Sequence, residues 1–201
     1  YNINCQLVSK KNKDMYWRVV RINGDGSIRM IYDGTRMYAN EDSSEDRHIG
    51  RSSFNEKADD NAYVGYMYGA PGSSVYAETH ANVNDSIIKS YIDAWYFNNL
   101  ELKQNEKYLA DNIFCISRNL GTNGTGVGQE QSYYNFNSLA IRSLKCSQKN
   151  DVLTVNYGNV GSGVLKYPIG LLTYDEVILA GSADSDNTSF YLYSGKWYWL
   201  M

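Results

Sequence analysis

The chain has 201 residues, a length that suits one domain or two very small ones, and at 43% hydrophobic it can bury a core, which excludes a wholly disordered polypeptide. Its 19 basic and 22 acidic residues leave a net charge of −3, which excludes the strongly basic balance of a protein that gains affinity by neutralising phosphates. No uninterrupted apolar run approaches the ~20 residues that a membrane-spanning helix needs.

The first element in chain order is a predicted β-hairpin over residues 15–33. Two β-rich runs, Met15 to Ile22 and Ile28 to Asp33, flank Asn23-Gly24-Asp25-Gly26-Ser27, whose residues tolerate positive φ. From Glu41 to Asn61 the chain is polar, carries Glu41, Asp42, Glu45, Asp46, Asp59 and Asp60, and reads as an exposed loop. Aromatic alternation from Ala62 to Gly69 predicts a strand ended by Ala70-Pro71-Gly72. Apolar residues at Ile87, Ile88, Tyr91, Ile92 and Trp95 then follow a helical period, with Asp85 or Ser86 placed to accept the first orphan amide hydrogens. That predicts the best helix of the chain, over 86–96, with a second helical piece around 104–110. Gly121 to Gly128 is a flexible loop by composition, and Val152 to Val155 is strand-like. Thr173 and Glu176 match a capping box, which predicts a short helix through Ala180 that stops at Gly181. Residues 189–193 and 197–201 read as closing strands around the Ser194-Gly195 turn, and no internal repeat is visible. The whole, 1–201, is expected to be a single α+β domain with β-hairpins and two or three helices.

Chemistry is sparsely signposted. With two histidines, His48 and His80, both in polar loops where surface positions are the ordinary reading, acid–base work would fall to carboxylates or to some of the 19 tyrosines. The glycine-rich stretch at 121–128 lacks the Lys-Ser/Thr ending of a phosphate loop. Asp184-Ser185-Asp186-Asn187-Thr188 offers closely spaced oxygen ligands, so Asp184 and Asp186 are the candidates for a loose calcium site, against the plainer reading of a polar turn; Ser189 and Gly195 stand where an EF-hand needs Gly and Glu. Asp175 and Glu176 are adjacent carboxylates, but the capping role explains Glu176 without chemistry. No catalytic residue is assigned. Cys5, Cys115 and Cys146 show no paired spacing for zinc. One disulfide is expected in an oxidising compartment, with Cys115–Cys146 the preferred of three pairings because both lie in the candidate core region; three buried thiols in a reducing compartment are the alternative. Closing that loop would contribute about 3–4 kcal/mol in the chain-entropy model.

The chain begins at Tyr1 and ends on Lys196-Trp197-Tyr198-Trp199-Leu200-Met201, an aromatic run that reads as the middle of a buried strand. A piece of a longer polypeptide is therefore expected, and Trp197, Tyr198 and Trp199 become candidates for binding, or for assembly by strand addition from a neighbouring subunit.

Tyr16-Trp17-Arg18-Val19-Val20-Arg21-Ile22-Asn23-Gly24-Asp25-Gly26-Ser27, with Tyr167-Pro168-Ile169-Gly170-Leu171-Leu172-Thr173-Tyr174-Asp175-Glu176 and Tyr198-Trp199-Leu200-Met201, resembles a group of uncharacterised bacterial surface proteins, mainly of Firmicutes, some of which carry a pilin-like anchor. The final Trp-Leu stretch is also similar to the tryptophan-containing strand of C-type-lectin-like and formylglycine-generating-enzyme-like folds. These resemblances imply an extracellular, C-type-lectin-like domain at a cell surface or in a filament. Its partner would be a protein or glycan on a surface, or neighbouring subunits, with no nucleic acid and with a membrane reached only through a segment outside this chain. The rival expectations are a secreted, carboxylate-dependent enzyme acting on glycans or cell wall, and a phage receptor-recognition module. The reactive cysteine pair of the enzyme branch has no counterpart around Cys115 and Cys146.

Overall fold

A computed structural model describes residues 7–8, 14–39, 42–121, 123–129, 142–158, 161–182 and 187–201. It is a mixed α+β structure of two-stranded antiparallel pairs and two substantial helical segments. The residues group into two compact units, each assembled from separate stretches. The first comprises Tyr1–Arg51, Trp95–Ala110 and Glu176–Tyr198; the second comprises Ser52–Ala94, Asp111–Asp175 and Trp199–Met201.

In the first unit, β1 (Leu7–Val8) pairs with β2 (Asp14–Met15), and β3 (Trp17–Ile22) pairs with β4 (Ile28–Tyr32) as the expected hairpin. Its turn closes where the sequence carries Asn-Gly and Asp-Gly: Asn23 N donates to Ser27 O at 2.8 Å, and Gly26 takes a φ of +84° that a side chain would strain. The ladder slips between Val19 and Arg21, since Val19 faces Met30 while Arg21 faces Arg29. One extra residue at Val20 forms a β-bulge, which moves Arg21 to the face of Arg18 and Ile22 to the face of Trp17. On that second face Trp17, Tyr32 and Trp95 meet edge to face, with centroids 5.4–6.3 Å apart.

Among its described residues the second unit holds three short pairings. β5 (Met67–Tyr68) lies beside β6 (Asn84–Asp85), with α1 (Tyr76–Thr79) between them in sequence; β7 (Phe114–Cys115) lies beside β8 (Val152–Leu153), and β9 (Tyr157–Gly158) pairs with β10 (Gly161–Ser162). Gly69 donates to Thr79 O at 2.8 Å, and a Cβ there would stand 1.8 Å from Glu78 O, so the approach of β5 to α1 requires glycine. Cys115 and Cys146 form a disulfide, as the sequence led us to expect. Helix α2 (Ile87–Tyr96) starts where Ser86 Oγ accepts from Lys89 N at 3.1 Å, and it continues as one wide turn over Phe97–Glu101. Ile88, Ile92 and Tyr96 form its buried stripe at i, i+4 and i+8. The last helix, α3 (Tyr174–Val177), runs into a wide turn over Ile178–Ser182, in which Gly181 takes a φ of +115°.

Several expected elements take other forms. Of the strand expected over 62–69 only Met67–Tyr68 is paired, because Asn61–Tyr63 winds into a 3₁₀ turn capped by Asp60, whose side chain accepts from Ala62 N. The piece at 104–110 is a single 3₁₀ turn, Glu106–Tyr108, after a break at Gln104, where φ is +59°. The polar stretch at 41–61 is not uniformly exposed, since Arg47, Asp60 and Asn61 are buried in it. Residues 189–193 and 197–201 form no strand. Tyr193 N donates back to Phe190 O in a tight turn, Gly195 has positive φ, and Met201 N donates to Leu172 O at 2.8 Å without a strand ladder forming there. Aromatic alternation there marks an irregular surface segment, which removes the interrupted sheet edge as a motive for strand addition.

Candidate functional site

The hairpin face created by the bulge carries Arg18, Arg21 and Arg29. Like charges directly opposite, as Arg21 and Arg29 are, repel one another. Glu176 resolves the conflict: its carboxylate takes Arg29 in two bonds, Nε at 3.0 Å and Nη2 at 3.3 Å, and also accepts from Arg21. Asp33 plays the same part for Arg18 and Arg47, at 2.9 and 2.8 Å. Glu176 is only 4% exposed. It is therefore the centre of a buried arginine pair, a role beyond the capping box that the sequence suggests.

The second unit is built around two further buried charges. Arg118 and Asp151, each 1% exposed, meet at 2.9 Å; the guanidinium also reaches Asn150 O at 3.2 Å and Met67 O at 3.4 Å, so its donors are spread over two other segments. Burial raises the Asp151 carboxyl above its ordinary range, while Arg118 draws it back. His80 completes this centre. The sequence reading placed it on the surface, but it is 1% exposed, with Nε2 3.0 Å from Gly126 O and Nδ1 3.5 Å from Arg118 Nη1. Burial first, then Arg118, lowers its pKa to about 4. The other buried cation, Lys89, sits between Asp93 at 2.7 Å and Asp85 at 3.1 Å. Nearby, the Tyr66 hydroxyl is enclosed with no partner among the described residues, and burial pushes its pKa well up, with Asp93 and Asp85 adding to the shift. His48 is half-buried, and burial lowers its pKa.

At the surface, the candidate aromatic residues behave differently from one another. Trp197 is fully exposed. In the same unit Lys196 pairs with Glu45 at 3.0 Å, Arg51 reaches the same carboxylate at 3.3 Å, and Tyr191 and Tyr198 are both partly exposed, burial raising the Tyr198 hydroxyl pKa. Trp199, in the second unit, is anchored: its Nε1 donates to Ser52 O at 2.9 Å and its ring meets Phe54 edge to face. No family model, curated protein or solved structure matches this chain. The site must therefore be read from its own geometry. The calcium candidates Asp184 and Asp186 lie outside the described residues, as does Cys5, and among the described residues no group of three or more His, Cys, Asp or Glu is placed to hold a metal. No helix among those residues is long and apolar enough to cross a membrane.

Arg118, Asp151, His80 and Lys89 escaped the sequence reading. Ion pairs 33 residues apart leave no periodic trace, whereas Lys89 was within reach, since it lies on the buried side of a predicted helix with Asp85 and Asp93 four residues away on either side.

Proposed function

We propose that this protein is a domain displayed outside a bacterial cell, C-type-lectin-like in its finer architecture, with a binding, adhesion or assembly role at the cell surface or in a filament. The observation that carries the reading is Trp197. An indole exposed to water is a large apolar face open to contact, and here it follows Lys196, whose ammonium pairs with Glu45. Such a surface offers apolar contact area beside fixed donors and acceptors. The buried carboxylates support a scaffold role for the interior: Glu176, Asp151 and Asp93 are each engaged by Arg or Lys, and Asp60 by a backbone amide. The Cys115–Cys146 disulfide suits an oxidising compartment, and mixed hairpins and helices linked by long loops suit the lectin-like class.

The test is co-sedimentation of the purified chain with insoluble bacterial envelope, together with sedimentation of the chain alone to detect self-association. Association weakened about 10-fold or more by Trp197→Ala is expected. Absence of both associations, or turnover of a glycan substrate abolished by changing a single acidic residue, would refute the reading.

A further inference from the structure

His80 follows α1 directly, and its two ring nitrogens have fixed roles. Gly126 O only accepts, so Nε2 carries the proton; Arg118 Nη1 only donates, so Nδ1 is bare and the ring is neutral. A second proton can enter only at Nδ1, which points at the guanidinium. Arg118 has nowhere to retreat, because Asp151 Oδ1 at 2.9 Å, Asn150 O at 3.2 Å and Met67 O at 3.4 Å hold it within the second unit. The Tyr76 ring packs on the imidazole with centroids 4.4 Å apart. The part that can move is the imidazole, and its bond to Gly126 would go with it.

That bond holds the chain at residues 126–128. Asn61 supplies two further fastenings, with its backbone N donating to Gly128 O at 3.0 Å and its side-chain Nδ2 to Val127 O at 2.9 Å. The segment is pressed close: Gly126 has a φ of +70°, and a Cβ there would stand 2.7 Å from the Tyr76 ring.

We propose that His80 is a proton-operated latch: a proton taken up at Nδ1 expels the imidazole from between Arg118 and Gly126 and frees residues 126–128 from α1. Arg118 and, behind it, Asp151 are charged groups that face the ring. With a pKa of about 4 when latched and the ordinary 6.5 when exposed, the latched form binds fewer protons, so release grows as pH falls through that window. Asp151 shifts the opposite way, since a raised carboxyl pKa favours the intact centre on acidification and cannot mimic the release. Linkage over this window raises the opening constant about 20-fold between pH 7 and pH 5.

Amide hydrogen exchange on the whole chain reads this out, after correction for the intrinsic pH dependence of exchange. The Asn61 amide, bonded to Gly128 O, reports on the segment; the Ile116 amide, bonded to Asp151 O, reports on the centre behind it. Asn61 protection should fall about 20-fold from pH 7 to pH 5 while that of Ile116 holds, and His80→Gln should remove the pH dependence at Asn61. The imidazole resonance of the unsubstituted protein should titrate well below 6.5, a measurement that stands even if the variant does not fold. Equal Asn61 protection at both pH values, or titration of His80 at its ordinary pKa, would overturn the latch.

Discussion

Replacing Glu176 by Gln separates two roles that the residue could hold. In a capping box Gln serves as well as Glu, so a purely capping Glu176 would lose almost nothing, whereas Thr173→Ala would cost about 1 kcal/mol. The structure gives a different ranking. Glu176 is 4% exposed and answers two guanidinium groups, Arg29 with a side chain 9% exposed and Arg21 with one 22% exposed. Removing one member of a buried ion pair typically costs about 3–5 kcal/mol, because the stranded charge stays out of water. Arg21 is exposed enough to turn toward solvent and Gln keeps one acceptor oxygen, so the lower end applies, and about 3 kcal/mol is expected for E176Q. The assay is urea unfolding followed through tryptophan fluorescence, since Trp17 and Trp95 pack together in the same unit as Glu176; the midpoint should fall with the slope unchanged. Adding Arg29→Met to E176Q should recover part of the loss, because the stranded cation is then gone. A loss of less than about 0.5 kcal/mol for E176Q, with Thr173→Ala the more damaging change, would refute the ion-pair account and restore the capping one.

Two further changes test other supports. Replacing both Cys115 and Cys146 by Ser opens a loop with a sequence separation of 31 and should cost about 3–4 kcal/mol, read as the difference between oxidised and variant chains in the same urea titration. Ser86→Ala removes the acceptor for the Lys89 amide at the start of α2 and should cost about 1 kcal/mol, read by calorimetry.

What the sequence discloses here is what neighbours along the chain decide between themselves. The hairpin was legible because Asn23, Gly24, Asp25 and Gly26 set the turn locally and the flanking runs had only to follow. Helix α2 was legible because Ser86 and the spacing of Ile88, Ile92 and Trp95 act within a few turns. The disulfide rested on the placement of two cysteines in an apolar region. The interior charges were hidden for the opposite reason, since Arg118 needs Asp151 and His80, and Glu176 needs Arg21 and Arg29, across 33 to 155 residues of chain. His80 looked like a surface residue only because its immediate neighbours are polar. The closing strands failed on a related point: alternating aromatics from Phe190 to Tyr193 and at Trp197 and Trp199 satisfy a strand pattern, but a strand also needs a partner, and a single sequence is silent about whether one arrives.

The extra residue at Val20 leaves a practical mark on how this hairpin can change over time. Because the register fixes side-chain direction beyond that point, many apolar letters would serve at position 20, and excising it would leave Arg21 opposite Arg29 in a regular ladder, still on the face of Arg18, whereas pairing Val20 itself with Arg29 would swing Arg21 toward the aromatic trio. Drift should therefore rewrite this position freely while holding the count from Arg21 to Arg29.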